Sequence, residues 1–210
     1  VASQLRKGIE IGPQTPLAGE VAERLCAMVG MERAAFCNTG SEAVTAAVRV
    51  ARTVSRRDRI AMFAGAYHGT FDEVLVRGTG SRAALRSVPV APGIARSMAD
   101  NILVLDYDKP ASLETIAARG DELAAVLVEP VQSRRPELQP REFLQELRRI
   151  TEKSGTALIF DEVVTGFRIH PGGAQAWVDV RADLATYGKV LGGGLPLGRR
   201  CLAQVHPALP

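Results

Sequence analysis

Short, mostly apolar runs alternate along the chain with longer stretches in which apolar residues recur every third or fourth position. The runs are Ala34 to Cys37, Ile60 to Ala64, Ile102 to Leu105, Ala124 to Val131, Thr156 to Val163 and Leu184 to Tyr187. Their length predicts strands. The stretches between them predict helices over Glu20 to Val29, Glu42 to Val54, about Ala111 to Arg119 and Pro140 to Ser154. Thr39 or Ser41 is placed to cap the helix that starts near Glu42, and Pro140 suits a first helical turn. Gly78 to about Ala99 is rich in Gly, Pro, Arg and Ser and predicts irregular structure. Continuously apolar strands separated by helices need cover on both faces. That predicts an α/β fold, with a mostly parallel sheet in a three-layer α/β/α arrangement.

Such sheets bind ligands beyond the carboxyl ends of their strands. The polar motifs fall there: Asn38-Thr39-Gly40-Ser41, Tyr67-His68-Gly69, Glu129-Pro130-Val131-Gln132, Asp161-Glu162 and Lys189. Five strand exits are therefore expected to meet at one crevice.

Composition narrows the classes. The 210 residues suit one large domain. With 46% hydrophobic and 23% charged residues the chain is neither disordered, collagen-like nor a disulfide scaffold. No window holds the roughly 18 apolar residues of a membrane span, and the N-terminus has no apolar signal core, so no membrane partner and a cytoplasmic location are expected. The chain begins without Met and stops at His206-Pro207-Ala208-Leu209-Pro210, which leads us to expect a piece of a longer protein. The net charge is +3, and the arginine pairs are scattered away from aromatic residues, so no nucleic-acid partner is expected. Cys26, Cys37 and Cys201 form no C-x-x-C pair, which argues against zinc and disulfides.

Each motif has a plain explanation and a chemical one. Asp161 ends a buried strand, where a carboxylate needs a partner. A helix cap or an ion pair with an arginine would supply it, and on position alone those readings come first. Lys189 precedes Gly192-Gly193-Gly194 and is flanked by apolar and glycine residues, unlike a lysine on a charged surface. It is not a P-loop lysine, because Asp183 and Val190 stand at the positions of the first Gly and the Ser or Thr. Gly40 and Ser41 open a helix whose N-terminus favours an anion such as phosphate. Tyr67 suits stacking on a planar ring, or a core position. Gly78-Thr79-Gly80-Ser81-Arg82-Ala83 matches a dinucleotide fingerprint, but Pro89 and Pro92 interrupt the helix it needs, so that reading ranks behind. An anion cradle, a stacking ring, a buried carboxylate and a lysine at a glycine turn together ask for a planar, phosphorylated, cationic ring that bonds to an amine. Pyridoxal 5′-phosphate meets each requirement.

The blocks CNTGSEAVTAAVRVAR, FAGAYHGTFDEVL, VLVEPVQ, LIFDEVVTGFR and YGKVLGGGLPLG resemble, in order and spacing, the signatures of the class III aminotransferases. These are fold-type I enzymes dependent on pyridoxal phosphate. Within the class the chain is similar to glutamate-1-semialdehyde aminomutases and to the aminotransferase domains of polyketide and nonribosomal peptide synthases. GPQTPLAGEVAERL and RIHPGGAQAW lean toward the synthase-embedded type.

The resemblance implies that Lys189 forms a Schiff base and shuttles a proton, and that Asp161 pairs with the pyridine nitrogen. It implies that Val163 packs against one side of the ring, Tyr67 stacks on the other, and Gly40 and Ser41 hold the phosphate. Glu129 is implied near the substrate pocket and Gln132 at the cofactor edge, while His68 and Arg168 receive no role. A ping-pong exchange between an amine donor and a carbonyl acceptor follows from the resemblance, as does a homodimer, and the synthase-embedded type implies a carrier-bound acceptor. An aminomutase-like isomerase and an inactive cofactor-binding fragment are the alternatives. The expected organisation is a lead-in over 1–30, an incomplete cofactor-binding large domain over 31–200, an atypical end over 201–210, and no small domain. Arg199-Arg200-Cys201 is expected to interrupt the apolar strand that family members place there, leaving an exposed sheet edge.

Overall fold

The computed structural model describes residues 2–6, 16–80, 86–193 and 198–201. Its helices are α1 (Ala2–Arg6), α2 (Pro16–Val29), α3 (Gly40–Ser55), α4 (Pro110–Ala118), α5 (Arg141–Ser154) and α6 (Gly173–Val178). Its strands are β1 (Ala35–Cys37), β2 (Arg59–Phe63), β3 (Val76–Thr79), β4 (Arg86–Pro89), β5 (Ile102–Leu105), β6 (Leu123–Val128), β7 (Ala157–Glu162), β8 (Leu184–Tyr187) and β9 (Gly198–Cys201). Seven strands form one sheet in the order β1-β9-β8-β7-β6-β2-β5. From β8 to β5 every neighbouring pair is parallel. Only β9 runs the other way, against both β1 and β8.

Every residue of β6 and β7 is buried, because helices lie on both faces. On one face α3 packs Val44, Ala47, Val48 and Ala51 against Ile60, Met62, Leu127 and Ile159. On the other, Phe143, Leu144 and Leu147 of α5 and Ile116 of α4 meet Phe63, Val126, Leu158 and Phe160. The rings of Phe63, Tyr107 and Phe143 sit 5.1 to 5.5 Å apart, tilted or edge-on, within that second layer. The layers are the α/β/α arrangement the apolar runs predict. Among the described residues no helix is long and apolar enough to cross a membrane.

Two stretches differ from expectation. The segment after Gly78 is not wholly irregular, because β3 and β4 pair as an antiparallel hairpin. Val74 ends a short 3-10 turn and Val76 starts β3. Gly78 lies inside β3, where an added Cβ would come within 3.1 Å of the Val104 carbonyl oxygen of β5. Gly78 thus serves a hairpin laid on the sheet, and the described residues resume in β4 at Arg86. Ser81 to Ala83 of that motif lie outside the described residues. The second difference is β9. Arg199-Arg200-Cys201 continues the sheet as a strand between β1 and β8 instead of breaking it. Gly194 to Leu197 and 202–210 lie outside the described residues, as do 7–15.

At the amino-terminal end of the sheet one side chain ties three strand entrances together. The Arg57 guanidinium, just before β2, donates to the carbonyls of Gly120 (2.9 Å) and Leu123 (3.1 Å) at the start of β6. It also donates to Ser154 (3.2 Å) and Gly155 (3.4 Å) before β7. Arg57→Leu removes these charged donors together and is expected to lower stability by about 2–3 kcal/mol in urea unfolding. A loss below about 0.5 kcal/mol would show that the staple contributes nothing beyond surface polarity.

Candidate active site

The carboxyl ends of β2, β6, β7 and β8 open into a cleft of about 360 Å³, closed on one side by the start of α3. Asn38, Thr39, Gly40, Ser41, Tyr67, His68, Glu129, Asp161, Val163 and Lys189 are among the residues that line it. A larger hollow of about 470 Å³ lies between the hairpin and α4. Its described lining holds no lysine and no buried carboxylate, whereas the smaller cleft holds both.

The start of α3 is built by a capping box. The Thr39 hydroxyl accepts from Glu42 N (3.1 Å), and the Glu42 carboxylate accepts from Thr39 N (2.9 Å) and Asn38 N (2.7 Å). This fixes the turn that presents Gly40 and Ser41 to the cleft. Ser41 Oγ also accepts from Thr70 N (3.1 Å), which ties the turn to the loop after β2. Gly69 of that loop has φ 109°, and an added Cβ would lie 2.5 Å from Ser41 Oγ and 3.0 Å from its Cα. Only glycine permits so close an approach.

Asp161 is 4% exposed. One carboxylate oxygen bonds His68 Nδ1 at 2.8 Å, and the other accepts from Thr186 Oγ1 (3.0 Å) and Val163 N (3.2 Å). The His68 ring is fully buried, and its Nε2 has no partner among the described residues. With a carboxylate as acceptor, His68 Nδ1 carries the hydrogen of this bond. Val163 nests between two glycines: a Cβ on Gly40 would reach its methyl carbons at 3.4 Å, and one on Gly188 at 3.2 Å. Lys189 begins a short 3-10 turn and is exposed, with φ 47°. A left-handed backbone at a non-glycine residue is strained, and such strain gathers at functional sites.

Of the residues singled out from sequence, Gly40, Ser41, Tyr67, Glu129, Asp161, Val163 and Lys189 all reach the cleft. Gln132 does not line it. Its side chain is 1% exposed and donates to the Ala64 carbonyl at 2.9 Å, linking the loops after β6 and β2. Arg168 is exposed and is absent from the lining. Sequence reasoning missed Thr186 and gave His68 no partner. Thr186 reaches Asp161 because the two residues face each other in the β7–β8 register, and no local signal in the chain encodes that register.

Glu162, next to Asp161, points to the opposite face of β7. It accepts from the backbone N–H groups of Ala174 and Gln175 and from the hydroxyls of Thr165 (3.3 Å) and Tyr187 (3.4 Å). Gln175 also donates to the Tyr187 oxygen at 2.8 Å. This buried network joins the segment after Val163 to the residue two before Lys189.

Comparison with known proteins matches this geometry to a family. The model for "Aminotransferase class-III" matches residues 2–205. The chain belongs to the class-III aminotransferases. It is 46% identical over 203 residues to a glutamate-1-semialdehyde 2,1-aminomutase of Hyperthermus butylicus, covering 94% of this chain and 47% of that protein. The crystal structure of an omega-transaminase from Sphaerobacter thermophilus matches with a TM-score of 0.89 and 35% identity, covering 96% of this chain and 48% of that one. A transaminase structure with PLP bound matches with a TM-score of 0.87 and 36% identity, covering 97% of this chain and 48% of that one. The chain thus spans about half the length of the class-III relatives it matches.

Burial raises the Glu162 pKa from 4.5 to about 7, partly offset by its backbone and hydroxyl donors. Between these values the folded protein holds a proton that the unfolded chain has released. Stability therefore falls as pH rises from about 4.5 to 7, by about 3 kcal/mol across the window, and levels off above it. Urea unfolding of Glu162→Gln and wild type over this range is expected to show that slope in their difference. A pH-independent difference would mean that Glu162 titrates elsewhere.

Proposed function

We propose that this chain is the cofactor-binding large domain of a pyridoxal-phosphate-dependent aminotransferase. It would move an amino group from an amine donor to a carbonyl acceptor in two half-reactions. The observation that carries the reading is the single cleft in which the α3 turn, Tyr67, Asp161, Val163 and Lys189 converge. Two solved relatives point the same way, a transaminase with PLP bound and a glutamate-1-semialdehyde aminomutase of Pseudomonas aeruginosa in complex with PMP.

The residues fit the group. The α3 N-terminus, with Gly40 and Ser41, suits a phosphate. Tyr67 and Val163 offer apolar surfaces for two sides of a flat ring. Asp161 is buried, and two donors and a backbone N–H orient its carboxylate. When bound, the cofactor supplies an aldehyde that bonds amines and a ring that withdraws electrons from the substrate carbon. Lys189 would provide the amine that holds the aldehyde, and its free amine would move a proton at the substrate carbon. Asp161 holds a proton on the ring nitrogen, and His68 and Thr186 fix the angle of its carboxylate.

The same machinery serves a second reading, an aminomutase-like isomerase, favoured by the names of the relatives at 40 to 46% identity. The two differ in whether nitrogen leaves the molecule it came from. The motifs around Gly12 and His170 support a synthase-embedded domain with a carrier-bound acceptor, the family resemblance supports a homodimer, and the odd number and wide spacing of the cysteines support a cytoplasmic location.

Incubation with pyridoxal phosphate is expected to give a visible absorbance band that borohydride fixes onto Lys189. Peptide mapping that places the label on another lysine would move the site. Asp161→Asn is expected to slow transamination about a hundredfold or more while changing stability by only about 1–2 kcal/mol. An equally active variant would remove Asp161 from the chemistry.

A further inference from the structure

Two carboxylates line the cleft and a third, Glu42, caps the turn beside it; each already accepts hydrogen bonds. Glu42 accepts from Asn38 N and Thr39 N. Asp161 is held by His68, Thr186 and Val163 N. Glu129, 3% exposed, accepts from Tyr67 N with one oxygen (2.9 Å) and from Ser133 N with the other (3.2 Å). Glu129 is thus a joint between two loops.

The joint also places a positive charge. The residue after Ser133 is Arg134, whose guanidinium lies over the Tyr67 ring, 5.8 Å from its centroid. Tyr67 is 44% exposed and lines the cleft, so Arg134 stands at the rim. No acidic side chain among the described residues pairs with Arg134, whereas its neighbour Arg135 lies 3.8 Å from Glu137. An arginine stacked on an aromatic face engages its π surface and keeps its N–H fork for a second partner. The partner that matches that fork is a carboxylate or a phosphate.

We propose that Arg134 is a specificity-determining residue that selects substrates carrying an anionic group, a carboxylate or a phosphate, apart from the reacting amine or carbonyl. This rests on the aminotransferase reading above. Glu129 acts as a positioning residue: by holding Ser133 and Tyr67 together it sets the guanidinium over the ring.

The test loads the protein with pyridoxal phosphate and follows the visible band during titration with three amines of similar length: butylamine, 4-aminobutyrate and 3-aminopropyl phosphate. In the wild type, at least one anionic amine is expected to bind about tenfold tighter than butylamine. Which one does so identifies the anion as carboxylate or phosphate. Arg134→Ala is expected to abolish that advantage with butylamine binding unchanged, Arg134→Lys to keep part of it, and raised salt to shrink it in the wild type alone. Unfolding midpoints of the variants equal to wild type are expected, since Arg134 is exposed. Equal binding of all three amines by the wild type, or the same advantage in Arg134→Ala, overturns the proposal while leaving the cofactor site standing. Absence of the band in the wild type overturns the aminotransferase reading and this inference with it.

Discussion

Two consecutive carboxylates end the wholly buried strand β7, and the rest of the site is arranged around satisfying them. Successive side chains of a strand point to opposite faces, so Asp161 and Glu162 cannot share partners. Asp161 turns toward the cleft beside α3 and takes its donors from β8 and the loop after β2. Glu162 turns to the other layer and takes its donors from the start of α6 and from Tyr187. Both layers of the domain are therefore pinned to one strand end. An unpaired carboxylate there would be costly, and this cost draws the surrounding loops into defined positions.

The geometry that results is a rigid frame for a strained element. Val163 is confined by the close approach of Gly40 and Gly188. Gly69 lets the loop after β2 touch Ser41, and Glu129 binds the same loop to the one after β6. Lys189 sits among these contacts in a left-handed conformation. A strained backbone persists only where its surroundings over-determine it. The Glu162–Gln175–Tyr187 network ends two residues before Lys189, and Gly188 packs on Val163 just before it.

The layers, the mostly parallel strands and the crevice were legible in the sequence because each depends on local pattern. Ile60 to Ala64 and Thr156 to Val163 are too uniformly apolar to face water on either side, and their polar residues fall where such strands end. Lys189 and Asp161 stood out because charge is rare in apolar and glycine-rich surroundings. What stayed hidden depends on pairing across distance. Thr186 meets Asp161 through strand register, His68 meets it across 93 residues, and Gln132 turns inward to Ala64 instead of toward the cleft. The hairpin after Val76 was hidden for a different reason. Its Gly, Ser and Pro content reads as a loop, and packing against β5 overrides that weak propensity. The strand character of Arg199 to Cys201 was masked by charge, although pairing with β1 and β8 asks only for backbone groups.

The pairing of β1 with β9 has a consequence for the order in which the domain is made. Ala35 meets Arg200 and Cys37 meets Gly198, so two segments far apart in synthesis must meet before β1 gains a strand neighbour. Among the described residues β1 has no other. The central parallel strands can collapse with α4 and α5 while β1, and the turn it leads into at Asn38 to Ser41, still wait. A contact of such long sequence separation forms slowly. On a ribosome, the turn at Asn38 to Ser41 would emerge well before the strand that holds β1 in place, and would be among the last parts to be fixed.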